Sequence, residues 1–473
     1  MLFQVMSELP ENQTVYIKAR STDTMAMLDH DLKNLAAQGY RYVFLDEVTL
    51  LEDFIDSAAM LSDIYAMQGI KIVLSGTDSL GFWLAEHEEL YDRAKMIHTT
   101  FIPFREHARL LGIGDIDEYI RYGGTLRAGE IDFDDEELNA KDASFRDDES
   151  TRRYIDTAIC KNIQHSLACY EGGGHFRHLM DLYEAGELTN AINRIIENMN
   201  KRFLVSVVER RFRSGDLGNT RKNFRKEADP DKKSDALDRI DEREVLERMK
   251  DILDIREADE LTVKITPAHM TEIKEYLRAL DLIVDCPMRT DSSEEPAEYV
   301  LFTQPGMRYC QAQALVHSLM KDDMFKGLSE REINMVTERL LDDVKGRMME
   351  DIVLLECFKE AKKNQSVFKL QFAHGEFDMV IYDSKADACA IYEIKHSTQI
   401  VSEQYRHLCD EEKCEKTEHR FGEIMKKTVL YRGESSCEEI EGGEIIYENA
   451  AEFLKELPDS MDINEGQGFS FNL

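Results

Sequence analysis

The chain has 473 residues, of which 42% are hydrophobic and 32% charged, with only 25 Gly and 8 Pro. This composition is typical of a folded globular protein and excludes a collagenous or low-complexity chain. Asp and Glu outnumber Lys and Arg by 94 to 59, which gives a formal net charge of −35. Such a charge repels phosphate backbones, so any contact with DNA must be local. An acidic surface that keeps the protein soluble is the simpler interpretation of the charge.

The length exceeds what one hydrophobic core usually supports, so we expect two or three domains. No uncharged apolar run is long enough to span a bilayer, and the N-terminal segment lacks the basic and apolar parts of a signal peptide. We therefore expect a cytoplasmic protein with no membrane partner. The nine cysteines are scattered and suit reduced thiols. His407, Cys409, Cys414 and His419 lie close in sequence, but their spacing matches no common zinc pattern.

Three β-rich runs lie near the N-terminus, at residues 14–18, 41–46 and 70–75. Helical patterns at 24–38 and 51–67 separate them. This alternation predicts an α/β domain with a parallel sheet and right-handed crossovers, in which 41–46 and 70–75 run parallel.

The second run ends in two carboxylates, Asp46 and Glu47. Strand carboxyl ends face the ligand crevice of a parallel sheet, where one carboxylate can hold Mg²⁺ and the other can orient a water. The third run is followed by Ser75 and Thr77, whose hydroxyls can contact that water or a γ-phosphate. The alternative is that Thr77 only caps the following helix.

The segments VFLDEV, IVLSGTDSL and YDRAKMIHTTFIPFREHARLLG occur in this order. They resemble the AAA-type P-loop ATPases of bacteria and archaea that carry a C-terminal domain of unknown function. The resemblance implies ATP and Mg²⁺ as ligands, Asp46 and Glu47 as the Walker B pair with Asp46 on the metal, and Ser75 or Thr77 as the sensor. It makes Arg93 a candidate for stabilising phosphate charge; plain surface charge is the equal alternative.

The resemblance covers residues 1–125, where we expect a partial P-loop NTPase domain. A P-loop requires GxxxxGK[ST], and no Gly-Lys pair occurs in this sequence. We therefore expect the Walker A part to be missing. The ATP-binding residues stay unknown, and the polypeptide as numbered is expected to be inactive as an ATPase.

Residues 126–325 are expected to form a helical region with a winged-helix-like module at about 240–310. A capped helix at 266–283 is followed by two short β-like runs. Winged helices bind DNA through a helix, but Glu272 and Glu275 favour a packing role for this one.

Residues 326–473 are expected to form a separate α/β domain. A long helical pattern ends near Lys363 and is followed by three candidate strands, another helical pattern and two further strands. These elements are predicted at 366–372, 376–382 and 388–395, then 402–425, then 428–431 and 444–447.

Two of these strands carry Asp378 and the pair Glu393 and Lys395. They reproduce the D…(D/E)xK pattern of the PD-(D/E)xK, restriction-endonuclease-like nucleases, although the usual Pro-Asp is absent. Alternation puts Glu393 and Lys395 on one face, where Asp378 and Glu393 can hold Mg²⁺ and the lysine can position a water. Glu350 on the preceding helix can add a further acid. The alternative is a half-buried strand with exposed charges.

Three hypotheses for function follow. The first is an ATPase-family protein with a nuclease-like C-terminal domain. The second is a non-catalytic regulatory or protein-interaction remnant of such an ATPase. The third, a winged-helix DNA-binding regulator, is disfavoured by the net charge of −35.

Overall fold

In a computed structural model the chain divides into two compact units. Unit 1 comprises Met1–Thr99, Arg152–Ile196 and Leu261–Asp281, and unit 2 comprises Thr100–Thr151, Glu197–Glu260 and Leu282–Leu473. The residues that the structure describes are 2–76, 79–112, 114–124, 145, 147–161, 163, 167, 176–213, 264–291, 293–321, 325–326, 329–440 and 443–457.

The helices and strands are numbered here in chain order. The helices are α1 Leu2–Ser7, α2 Met25–Gln38, α3 Phe54–Ser57, α4 Ser79–His87, α5 Phe104–Leu111, α6 Ile116–Tyr122, α7 Asp148–Tyr154, α8 Arg177–Glu184, α9 Leu188–Arg213, α10 Pro267–Ala279, α11 Pro305–Leu319, α12 Glu330–Glu360, α13 Glu411–Phe421 and α14 Ala450–Lys455. The strands are β1 Thr14–Lys18, β2 Tyr42–Asp46, β3 Lys71–Leu74, β4 Ile283–Thr290, β5 Ser293–Phe302, β6 Gln365–Gln371, β7 Glu376–Asp383, β8 Ala388–Lys395, β9 Glu423–Tyr431, β10 Ser436–Ile440 and β11 Gly443–Asn449. Short 3-10 turns lie at Glu11–Gln13, Val48–Leu50, Ala66–Gln68 and Ser402–Gln404, and π-helical turns at Leu61–Tyr65 and Ile155–Lys161.

Unit 1 contains a parallel sheet in the order β1-β2-β3. The predicted parallel pairing of β2 with β3 is confirmed, with Val43 opposite Ile72. The connecting helix α2 begins where the Thr24 side chain accepts a hydrogen bond from the Met27 N–H and ends at Gly39, which adopts a left-handed φ of 91°. The centre of β2 is buried, whereas β3 alternates between exposed and half-buried residues. Its Val73 is 38% exposed, so this strand is poorly covered.

Unit 2 is built on a mixed sheet in the order β10-β11-β9-β8-β7-β6-β4-β5. The strands β6, β7 and β8 form an antiparallel meander, and β9 returns parallel to β8 after helix α13. The three predicted strands of this meander are confirmed to within one residue at each end. Strand β10 was not predicted. The predicted helix at 402–425 is helical only at Glu411–Phe421, since a short 3-10 turn at Ser402–Gln404 precedes it and β9 begins at Glu423.

Alternate residues of the central strands in unit 2 enter two different cores. Met379 and Tyr392 belong to a cluster that includes α12, whereas Val380 and Ile391 belong to a cluster that includes Phe421 of α13. The period of two along each strand therefore buries both faces of the meander.

The described elements of the expected winged-helix-like module are divided between the two units. Helix α10 begins at the predicted cap, Thr266, but it belongs to unit 1. Strands β4 and β5 form a hairpin in unit 2, and β4 pairs in parallel with β6 through Met288 and Lys369. This pairing continues the large sheet, so the units differ from the expected boundaries near residues 125 and 326. Residues 240–263 of the expected module lie outside the described part of the chain.

Helix α5, which carries the PFREH sequence, is held in unit 2 by two acids of α12. The buried Glu356 carboxylate accepts a 2.7 Å hydrogen bond from the Phe104 N–H, which is an orphan donor of the first helical turn. Arg105 forms a 3.0 Å ion pair with Glu360. Burial raises the pKa of Glu356 to about 8, although the Phe104 N–H and Arg105 lower it.

This arrangement predicts a pH dependence of stability. The folded chain keeps a proton on Glu356 that the unfolded chain loses near its ordinary pKa of 4.5, so stability falls as pH rises from 4.5 to about 8. In Glu356→Gln this contribution is absent. We expect the variant to gain stability relative to the natural chain across this interval, measured by chemical denaturation at several pH values. Parallel pH profiles for the two proteins would contradict the assignment.

Candidate functional site

In unit 1 the Asp46 carboxylate lies at the carboxyl end of β2. It accepts hydrogen bonds from the Ser75 hydroxyl at 2.6 Å, the Tyr16 hydroxyl at 2.5 Å and the Glu47 N–H at 3.1 Å. Burial raises the pKa of Asp46, but these hydrogen bonds outweigh burial and hold the pKa below its ordinary value. Asp46 is therefore an ionised carboxylate joined by hydrogen bonds to the middle of β1 and to the residue that follows β3.

The other residues predicted for this site are not all brought together. Glu47 follows Asp46 directly and adopts a left-handed φ of 55°, which is uncommon for a residue other than Gly. Thr77 lies outside the described residues. Arg93 forms an exposed 2.9 Å ion pair with Asp63, and its hydrogen bonds within the described chain do not include Asp46.

In unit 2 the three residues of the D…(D/E)xK pattern meet at the ends of β7 and β8. The Lys395 ammonium lies 3.1 Å from Asp378 Oδ2 and also donates a hydrogen bond to Glu393 Oε2. Asp378 Oδ2 accepts a further 2.8 Å hydrogen bond from the Ile394 N–H. The two carboxylates therefore converge on one ammonium group and do not point to opposite faces of the sheet.

A second cation lies on the other side of Asp378. The Lys369 ammonium is 2.9 Å from Glu376 Oε1, 3.4 Å from Glu350 Oε2 and 3.9 Å from Asp378 Oδ1. The carboxylate oxygens of Glu350, Glu376 and Asp378 all lie within 4.8 Å of one another. Arg347 adds a 2.5 Å contact to Glu350. We call these groups together the buried charge cluster: Arg347, Glu350, Lys369, Glu376, Asp378, Glu393 and Lys395.

Glu393 is a member of the buried charge cluster with an unsatisfied oxygen. Its Oε1 is buried and accepts no hydrogen bond from the described residues. Burial raises the pKa of Glu393 to about 8, although Lys395 lowers it. Burial lowers the pKa of Lys395, but the charges of Asp378 and Glu393 outweigh burial and raise it. A buried carboxylate oxygen without a partner is a position at which a cation would be stabilised.

Three members of the cluster were not predicted from the sequence: Arg347, Lys369 and Glu376. Lys369 interrupts the apolar run VFKLQF, and a lysine in the middle of a buried strand is a signal for a buried partner. Glu376 precedes Asp378 by two residues, which places both on one face of a regular strand. Arg347 lies one helical turn before Glu350.

Two other groups of possible metal ligands are less suited to bind a metal ion. The Nδ1 of His407 contacts the Lys413 ammonium at 2.5 Å. Among the described residues, no group of possible metal ligands is formed by His407, Cys409, Cys414 and His419. In unit 1, His178, Asp181 and His269 lie close together. However, Nδ1 of His269 accepts a hydrogen bond from the Thr266 N–H at 3.1 Å, so the neutral ring carries its proton on Nε2 and offers no lone pair there.

The sequence matches no protein-family model, and no curated protein or solved structure is significantly similar to the chain. The class of protein therefore rests on the fold and on the two sites.

The geometry of the buried charge cluster predicts that Asp378 is essential for stability. In Asp378→Asn the Lys369 and Lys395 ammonium groups lose a shared counter-charge in a buried position. We expect the free energy of unfolding to fall by about 3 kcal/mol, measured by denaturant unfolding followed by circular dichroism. The exposed residue Glu423 of β9 provides the control, since Glu423→Gln should change stability by less than about 0.5 kcal/mol. Equal stability of the two variants would show that the cluster does not need the Asp378 charge.

Proposed function

We propose that unit 2 is a nuclease-like domain that hydrolyses phosphodiester bonds of nucleic acid with the help of a divalent cation. The observation that carries this proposal is the convergence of Asp378 and Glu393 on Lys395, with the buried Oε1 of Glu393 lacking a hydrogen bond among the described residues. Two carboxylates and one lysine are the residue types that this chemistry requires.

The residues at this position fit Mg²⁺ or Mn²⁺. Both ions prefer carboxylate oxygens, and Asp378 and Glu393 would supply them. When bound, the ion would polarise the phosphate and lower the pKa of a water. For the ion to enter, Lys395 must release one of the two carboxylates, and its side chain is 26% exposed, whereas that of Glu393 is 2% exposed. Lys395 is therefore the member of this trio that can turn towards solvent.

Once turned outwards, the Lys395 ammonium would have a second role. A positive charge next to a phosphodiester binds its oxygens and stabilises the negative charge that develops during hydrolysis. The same ammonium can hold a water in position for attack. The charges of Asp378 and Glu393 raise the pKa of Lys395 and keep it protonated, so it acts as a hydrogen-bond donor and as a charge and not as a general base.

The order of elements around the cluster supports this interpretation. Helix α12 is followed by the antiparallel strands β6, β7 and β8, then by helix α13 and by β9, which runs parallel to β8. A restriction-endonuclease-like domain is expected to hold its acids in this way, with one on the first helix and the others on neighbouring central strands.

Two residues with basic side chains directly follow the parallel strands β8 and β9. His396 and Arg432 come after Lys395 and Tyr431, which are opposite each other in the register. Both contact Asp117 of α6, His396 at 2.6 Å and Arg432 at 3.1 Å. They offer the kind of local contact to phosphate that a chain with a net charge of −35 would need.

The test is cleavage of supercoiled plasmid, single-stranded DNA and RNA in the presence of Mg²⁺ or Mn²⁺. We expect Lys395→Met to lower the cleavage rate by about 100-fold to 1000-fold, because a preorganised charge at the phosphate is lost. Glu393→Gln should weaken binding of the cation and lower the cleavage rate, because a ligand of the ion is lost. The exposed Lys385 in the turn between β7 and β8 provides a matched control, since Lys385→Met should cleave at the original rate.

Cleavage that persists in Lys395→Met would show that a different site or a contaminant is responsible. The absence of cleavage for all three substrates, with no binding of Mn²⁺ by the natural chain, would favour the alternative of a non-catalytic regulatory or protein-interaction domain.

We further propose that unit 1 has the sheet of an ATPase-type domain and serves as a scaffold for protein contacts. The specific support is the hydrogen bond that joins Asp46 and Ser75 at the carboxyl ends of two parallel strands, where Walker B and sensor residues are expected.

This second proposal predicts that the polypeptide does not hydrolyse ATP measurably. Without a GxxxxGK[ST] loop, no cradle of backbone N–H groups holds the γ-phosphate in line with the attacking water. The measurement is phosphate release with Mg²⁺ and ATP. Steady turnover that disappears in Asp46→Asn would contradict the prediction.

A further inference from the structure

Lys369 occupies the middle of a group of three carboxylates inside unit 2. Its ammonium lies within 3.9 Å of Glu350, Glu376 and Asp378, and its side chain is only 2% exposed. Oxygen atoms of these acids lie within 4.8 Å of one another, a spacing at which one cation can contact all three. In this protein the cation at that position is a side chain of the chain itself.

The backbone explains why Lys369 reaches this position. The pairing of β6 with β7 is regular up to Phe368 opposite Val380 and then shifts before Leu370 opposite Phe377. Between these two pairs β6 has one residue, Lys369, whereas β7 has two, Asp378 and Met379, so the bulge inserts its extra residue into β7. Lys369 keeps the regular alternation of β6: its neighbours Phe368 and Leu370 both enter the core cluster on one face, so Lys369 lies on the opposite face.

The surroundings of Lys369 hold its charge in place. Arg347 contacts Glu350 at 2.5 Å and Glu376 at 3.5 Å, and the Tyr299 ring centroid lies 5.9 Å from the Lys369 ammonium. For another cation to enter, the Lys369 ammonium would have to move away from its counter-charges while it stays buried. An unpaired buried charge carries a large desolvation penalty. Lys395, which is 26% exposed, has no such constraint.

We infer that Lys369 is a built-in cation that takes the place of a metal ion between Glu350, Glu376 and Asp378, so that the centre admits one divalent cation and not two. The single ion enters on the side of Glu393, where Lys395 can move aside. The part of this inference that concerns the first ion rests on the proposed nuclease-like function. The part that concerns Lys369 rests only on its contacts with the carboxylates of Glu350, Glu376 and Asp378, called here the inner carboxylates.

The experiment removes the ammonium group and counts bound ions. Lys369→Met keeps most of the side-chain volume and leaves the inner carboxylates without their central charge. We expect this variant to bind one more Mn²⁺ per chain than the natural protein, measured by electron paramagnetic resonance at high ionic strength, which screens weak binding to the acidic surface. Its thermal midpoint should rise with added Mn²⁺ or Mg²⁺ by several degrees more than that of the natural chain.

Two matched variants separate the charge of Lys369 from its packing. Lys369→Arg keeps a positive charge and should gain no Mn²⁺ site. The double variant Lys369→Met with Glu376→Gln removes one positive and one negative charge and should lose most of the added Mn²⁺ binding. If Lys369→Met folds only when refolded with Mn²⁺, while the double variant folds without it, the expected cation dependence is shown directly.

The inference is overturned if Lys369→Met binds the same number of Mn²⁺ ions as the natural chain and its thermal midpoint does not respond to them, or if the natural chain already binds two ions at the cluster. Failure of the proposed function gives a different result. In that case the natural chain binds no Mn²⁺ at the cluster, while Lys369→Met still gains one ion.

Discussion

The neutralisation of buried charge is the constraint on which unit 2 depends. Carboxylates can be buried only where cationic groups and hydrogen-bond donors compensate for the lost water. Asp378 meets this condition by accepting hydrogen bonds from the Lys395 ammonium and from the Ile394 N–H, while Lys369 lies on its other side. Strands β6, β7 and β8 must therefore keep their register for the cluster to exist, and the bulge in β7 opposite Lys369 is part of that register.

Helix α12 joins this electrostatic constraint to the apolar core. Its middle contributes Glu350 to the buried charge cluster, and its C-terminal part contributes Glu356 to the N-terminus of α5. Between these acids, apolar residues such as Val353 and Leu354 are fully or almost fully buried. A helix with buried acids at intervals is costly unless each acid has a partner. Here Glu350 is paired with Lys369 of β6 and with Arg347 of the same helix, and Glu356 accepts a hydrogen bond from the N-terminus of α5. The helix thereby fixes the position of α5 within unit 2 and the depth of the cluster.

The two candidate sites differ in whether their carboxylates have cationic partners within the described chain. In unit 1 the Asp46 carboxylate is bound by the hydroxyls of Tyr16 and Ser75, which are neutral partners that leave its negative charge in place. In unit 2 the carboxylates are accompanied by two lysines and an arginine, so the cluster already contains cations. A strand end that keeps an uncompensated carboxylate is suited to a bound cation, whereas a cluster with internal cations must exchange one of them to bind another.

Within the parts of the chain that the structure describes, no helix is both long and apolar enough to cross a bilayer.

Local sequence patterns determined the elements and some of the pairs. The alternation of β-rich and helical runs specified the parallel pairing of β2 with β3, and strand periodicity placed Glu393 beside Lys395. Only the tertiary structure decided that β4 continues the sheet of β6 and that Lys369 and Glu376 complete the cluster. Short-range patterns depend on the backbone geometry of residues that are neighbours in the chain, so they can be predicted from the sequence alone. Strand partners and compensated charges depend on distant segments that compete for the same buried position, and that competition is resolved only when the whole core packs.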